Sequence, residues 1–151
     1  VNVSYPDAEA ETRILKLARR EASGTTPAPP QPLTQEAVFK ARQAVLSVHM
    51  AEAVEAYIVQ LVIATREPGA YDNELSDWLE FGASPRATIA LDRCARANAY
   101  LHGRDYVSPD DVQAVVTDCL KHRLILSFEA EAAGVTRAQV INRLLETVAV
   151  G

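Results

Sequence analysis

The residues of this chain best suited to do chemistry are Ser84-Pro85-Arg86. Serine is a preferred helix N-cap, because its hydroxyl accepts a bond from an otherwise free backbone N–H. Proline suits the first helical position, where its missing N–H costs nothing and its φ is already set. Arg86 then places a guanidinium in the first turn, against a helix dipole that favours anions at that end. Open N–H groups and a forked cation together would bind phosphate. The alternative is an ordinary surface arginine, since the dipole penalty is only about 1 kcal/mol. The residues alone leave both readings open.

Little else in the sequence offers chemistry. There is no G-x-x-x-x-G-K-[ST] phosphate loop, no strand-borne acidic pair for magnesium and no nucleophile elbow. Asp110 and Asp111 fall in the first turn of an expected helix, where dipole and capping roles account for them without catalysis. Cys94 and Cys119 are too far apart for C-x-x-C and read as reduced, buried small hydrophobes. His49, His102 and His122 lack a second ligand at metal-binding spacing, so no metal site is expected. The chain by itself is expected to catalyse nothing.

Stepping outward, 151 residues with 48% apolar and 23% charged side chains match one soluble globular domain with its own core. Few aromatics and many alanines favour helix over sheet. The net charge of −5 is uneven: residues 1–81 hold 7 basic and 12 acidic side chains, and residues 82–151 hold 8 of each. The arginines of the second half are therefore free to meet an anion, and nothing resembles the basic stripe of a duplex-DNA binder. No apolar run approaches the ~20 residues of a membrane helix, and no signal-peptide pattern opens the chain, so a cytoplasmic protein is expected. Starting at Val1 rather than Met predicts a piece of a longer protein.

The expected architecture is all-α: a compact bundle of five to seven helices, with one short β pairing near Val48 or Tyr106-Val107. Residues 1–20 hold a first helix, opened by Tyr5-Pro6-Asp7, with Ile14, Leu15 and Ala18 on one face. Residues 21–33 form a proline-rich loop. Residues 34–151 make the main domain. Its first helix is capped by Thr34 with a Leu33–Val38 staple, and Ser47-Val48-His49 breaks it. A helix from about Met50 to Arg66 buries Val54, Tyr57, Ile58, Leu61 and Val62, and stops at Glu67-Pro68. Residues 70–81 read as irregular and acidic, anchored by Trp78, Leu79 and Phe81. The helix from Pro85 to Leu101 carries a stripe of Ala87, Ala90, Leu91, Cys94, Ala97 and Leu101 and ends at Gly103. Ser108-Pro109 starts the next, with Asp111 closing a capping box and Val107–Val112 as staple; Lys121-His122-Arg123 sits at its favourable C-terminal end. Residues 123–128 fit a short strand or a helical turn equally. Thr136-Arg137-Ala138-Gln139 caps a final helix running to about Thr147.

Taken together, Gly82-Ala83-Ser84-Pro85-Arg86-Ala87, Ala95-Arg96-Ala97, Gly103-Arg104-Asp105-Tyr106-Val107, Pro109-Asp110-Asp111-Val112 and His122-Arg123-Leu124 resemble the C-terminal helical lid of MoxR-family AAA+ ATPases. Tyr5-Pro6-Asp7 with Ile14-Leu15 resembles the join between that family's nucleotide-binding core and its lid. Tyr57-Ile58-Val59, Leu61-Val62 and Ala64-Thr65-Arg66 resemble its helix before the acidic segment. The likeness spans nearly the whole chain, in order. It departs at Val148-Ala149-Val150, where the family is proline-rich.

The resemblance implies a lid whose sensor-two arginine, by position Arg86, reaches the γ-phosphate of ATP held with magnesium by the missing core. Gly82, Ala83, Ser84 and Pro85 would lie along the nucleotide pocket. It also implies a ring, usually a hexamer, with chaperone-like work and von Willebrand factor A domain partners. In a related branch of these ATPases, the lid serves a neighbouring subunit's nucleotide. Two other functions compete. A stand-alone helical interaction module could dock partners through residues 70–80 and Trp78. A helix-turn-helix DNA binder could be built around Gly103, although the acidic balance opposes it.

Overall fold

A computed structural model describes residues 5–24 and 31–150. The core of the proline-rich loop, residues 25–30, lies outside the described residues. The chain divides into two units, residues 1–38 and 39–151.

In the first unit, α1 (Ala8–Ala22) is capped by Asp7, whose carboxylate accepts the Ala10 N–H at 2.8 Å. No α1 residue is buried, so Ile14 and Leu15 form an exposed apolar face. Thr34 caps α2 (Gln35–Leu46), its hydroxyl accepting the Ala37 N–H at 3.1 Å. The expected staple is not a buried contact, because Leu33 and Val38 are both exposed.

The second unit holds the core. After α2 come α3 (Glu52–Arg66), a 3-10 turn (Pro68–Ala70), α4 (Asn73–Trp78), β1 (Leu79–Phe81), α5 (Pro85–Leu101), α6 (Pro109–Leu120), β2 (Ile125–Leu126), α7 (Phe128–Ala132) and α8 (Arg137–Thr147). Tyr57, Ile58, Leu61, Leu75, Leu91, Leu120, Ile141 and Leu144 meet in one fully buried cluster. Each such burial contributes about 1.5–3 kcal/mol. All five residues expected on the inner face of α3 are buried. The Val107–Val112 staple is buried as well. The Thr136–Gln139 box is closed by a 2.8 Å bond from the Thr136 N–H to the Gln139 side chain.

The expected β pairing near Val48 is present as a parallel bridge between His49 and Tyr106, with the His49 N–H on the Asp105 carbonyl and the Val107 N–H on the His49 carbonyl, each 2.8 Å. Arg96 steadies this break: it donates to Asp92 at 2.8 Å and to the Val48 carbonyl.

Several expectations are corrected. Eight α-helices stand where five to seven were expected among the described residues. Residues 70–81 are not irregular: Asp72 caps α4 by accepting the Leu75 N–H at 3.0 Å, and β1 follows. β1 pairs antiparallel with β2, Leu79 opposite Leu126 and Phe81 opposite Ile125, so residues 123–128 contain the strand. In α5 the buried ladder is Ala87, Leu91, Ala95 and Ala99, a strict i, i+4 row. Leu101 is 80% exposed, and Cys94 is exposed rather than buried; Cys119 is buried as expected. The α5 face turns because the large Leu91 takes the core position and its i±4 neighbours follow it.

Candidate functional site

The segment carrying Arg86 is built where β1 leaves the two-stranded sheet and crosses the last turn of α3. Gly82 sits against the α3 backbone. A Cβ there would lie 2.1 Å from the Thr65 carbonyl oxygen and 2.8 Å from the Arg66 nitrogen. Only glycine permits that approach.

Ala83 comes next, its side chain buried. Its N–H donates to Thr65 Oγ1 at 2.9 Å, and its carbonyl accepts from Arg66 Nε at 2.7 Å. Thr65 is itself buried, and its hydroxyl donates to the Val62 carbonyl at 2.7 Å. Two consecutive side chains at the end of α3 therefore hold both backbone groups of Ala83.

Ser84 occupies the N-cap position of α5 with extended backbone (φ −77°, ψ 169°), and Pro85 is the first helical residue, as expected. The Ser84 hydroxyl, however, makes no cap bond; the Ser84 carbonyl instead accepts the Ala87 N–H at 2.8 Å. No acidic residue stands in the first turn of α5. Arg86 is exposed, and no hydrogen bond or ion pair among the described residues engages it. A forked, permanently charged donor thus projects from a helix start that is uncapped by side chain and unneutralised by acid.

The other prominent arginines are occupied. Arg104, after α5, binds Asp111 of α6 with two bonds of 2.5 and 2.6 Å. Asp111 also accepts from the Asn98 side chain at 2.7 Å, from the Ser108 N–H at 2.9 Å and from the Ser108 hydroxyl at 3.0 Å. Burial pushes the Asp111 carboxyl up, but Arg104 and these donors together hold it well below the usual carboxylate range. Arg143 of α8 ties to Asp72 at 2.6 Å, with Glu74 and Glu146 beside it. The backbone N–H of Leu75 first, and Arg143 second, lower the Asp72 carboxyl. Arg123 donates to the Cys119 carbonyl at 2.9 Å, closing α6 as its charge predicts.

Of the residues singled out from sequence, Gly82, Ala83, Ser84, Pro85 and Arg86 stay together in one short segment. Gly82 and Ala83 are fixed by α3, whereas Ser84, Pro85 and Arg86 are exposed. Sequence reasoning gave Thr65 and Arg66 no role of their own. Their bonds reach 18 and 17 residues along the chain, beyond any helical or strand period. Among the described residues no group of three His, Cys, Asp or Glu side chains could hold a metal, and no helix is long and apolar enough to cross a membrane.

The described residues thus form a helical bundle joined to a short antiparallel pairing. Residues 75–144 match the AAA lid domain family, and the chain belongs with the lids of MoxR-type AAA+ ATPases. It is 37% identical over 150 residues to Chaperone MoxR1 of Mycobacterium tuberculosis, covering 99% of this chain and 39% of that one. Protein MoxR of Methylorubrum extorquens is 37% identical over 101 residues, 64% of this chain and 29% of that one. A crystal structure of a Cytophaga hutchinsonii protein assigned as an ATPase superposes with a TM-score of 0.92 at 34% identity, over all of this chain and 46% of the other. The chain thus spans less than half the length of these relatives.

Proposed function

We propose that this lid serves ATP hydrolysis in a MoxR-type ATPase and that Arg86 is its sensor-two arginine. The observation that carries the reading is the state of that side chain: exposed, unpaired, and mounted on a segment clamped to α3. An arginine with no internal partner, at a helix start that favours anions, fits the terminal phosphate of a nucleotide. The guanidinium donates to γ-phosphate oxygens, orients that group and stabilises charge as it is transferred. Ser84 and Pro85 border the same space; Gly82 and Ala83 fix the approach of the loop. Among the described residues no side-chain cluster fits magnesium; this reading assigns the metal and the phosphate loop to a nucleotide-binding core beyond the lid.

In this reading the full-length protein is a cytoplasmic ring, a hexamer by family habit, doing chaperone-like work with a von Willebrand factor A domain protein among its partners. Arg86 acts on its own subunit's nucleotide or its neighbour's. The match to AAA lids favours this reading over a stand-alone interaction module or a DNA-binding helix pair.

The test is Arg86→Ala in the full-length protein. Loss of one charge-stabilising donor lowers ATP turnover about 100-fold, with the melting temperature unchanged because the side chain is exposed and no hydrogen bond or ion pair among the described residues engages it. Turnover at the wild-type rate would overturn the role.

A further inference from the structure

We infer that Thr65 and Arg66, at the end of α3, are positioning residues for Arg86. The inference rests on the sensor-two reading and adds the means by which the guanidinium is aimed.

Ala83 lies three residues before Arg86, and its backbone has no freedom left. Thr65 Oγ1 accepts its N–H at 2.9 Å, Arg66 Nε donates to its carbonyl at 2.7 Å, and Gly82 packs too close to the Thr65 carbonyl to admit a side chain. Thr65 is in turn locked by its own bond to the Val62 carbonyl. Arg66 is an exposed side chain that would lose nothing by pointing into water, yet it is held to a carbonyl 17 residues away. Ordering a long side chain costs rotamer entropy, so this bond returns rigidity rather than burial. Pro85 then continues that rigidity into α5, since its φ is fixed. The chain of constraints runs from the α3 backbone, through two side chains and one proline, to the backbone that carries Arg86. Charge stabilisation of phosphoryl transfer depends on donors held in place beforehand.

The experiment compares ATP turnover of full-length wild type, Thr65→Val, Thr65→Ser, Arg66→Ala and Arg86→Ala, and of the first and third of these substitutions each combined with Arg86→Ala. Thr65→Val keeps the shape and deletes the hydroxyl. It lowers kcat about tenfold, the scale of a misplaced catalytic group, and Thr65→Ser restores the rate. Arg66→Ala, on the surface and harmless to folding, lowers kcat several-fold with KM for ATP little changed. In the Arg86→Ala background neither substitution lowers the rate further, because the group being aimed is gone. Full activity of both Thr65→Val and Arg66→Ala, in a protein that Arg86→Ala slows, overturns the inference and leaves the sensor-two reading standing. Equal losses in the Arg86→Ala background also overturn it, since they mark general damage to the fold. An Arg86→Ala protein of wild-type rate removes the reading and the inference together. Should Thr65→Val fail to fold, the Arg66→Ala pair decides.

Discussion

Arg104 grips Asp111 through both carboxylate oxygens, at 2.5 and 2.6 Å, and so pins the chain leaving α5 to the start of α6. Asp111 is 1% exposed and also holds Ser108 and Asn98. Removing a buried carboxylate that accepts five hydrogen bonds leaves their donors unpaired. Asp111→Ala therefore lowers stability by about 3 kcal/mol, read by urea unfolding at pH 7. Its pH dependence follows from the sign of the shift. The folded pKa lies below the ordinary 3.8, so the contribution is fully present above about pH 4 and drains away as pH falls through the folded value. The wild type's advantage over Asp111→Ala should be flat from pH 7 to 5 and shrink below pH 4. An advantage that grows on acidification contradicts the assignment.

Ser84 and Ser127 both stand at helix starts, yet only one is bonded there. Ser127 accepts the Ala130 N–H at 3.1 Å and donates to the Asp77 carbonyl at 2.7 Å. The Ser84 hydroxyl makes no cap bond. Ser127→Ala should cost about 1–2 kcal/mol and Ser84→Ala less than about 0.5 kcal/mol. Thermal melts of the two variants side by side check this; equal losses would mean that Ser84 caps α5 after all.

The two cysteines differ in access. Cys119 is buried, and burial first, with Cys94 beside it second, pushes its thiol up to about 12. Cys94 is exposed. A thiol reagent at pH 8 should modify Cys94 at once and Cys119 about 100-fold more slowly, at the rate of local opening. Peptide mapping of the labelled protein distinguishes them. Similar rates would place Cys119 at the surface.

How much of this was legible depends on range. Ser108 with Asp111, and Thr136 with Gln139, announce helices through bonds three residues long, and the α3 face repeats over four turns. Both could be read directly. The six-residue α4 is too short to show a period, and its Asp72 cap lay hidden among other acids. In α5 nearly every candidate core position is alanine or cysteine, so apolar spacing could not fix the phase; Leu91 did, through the surrounding core. The pairing of β1 with β2, and the clamp of Thr65 and Arg66 on Ala83, join distant stretches that carry no local mark. Arg86 was singled out because its signal is local, and the bonds of Thr65 and Arg66 to Ala83 were missed because theirs is not.

The seam between β1 and β2 has a mechanical meaning. Ser127, just past β2, is fastened to Asp77 and Trp78, just before and within reach of β1. The strand so fastened runs straight into Gly82. A force applied to the carboxy-terminal helices is thus transmitted, like tension along a short cable, to the clamped segment below Arg86. Whatever tugs on the far end of this lid also tugs on the segment that carries Arg86.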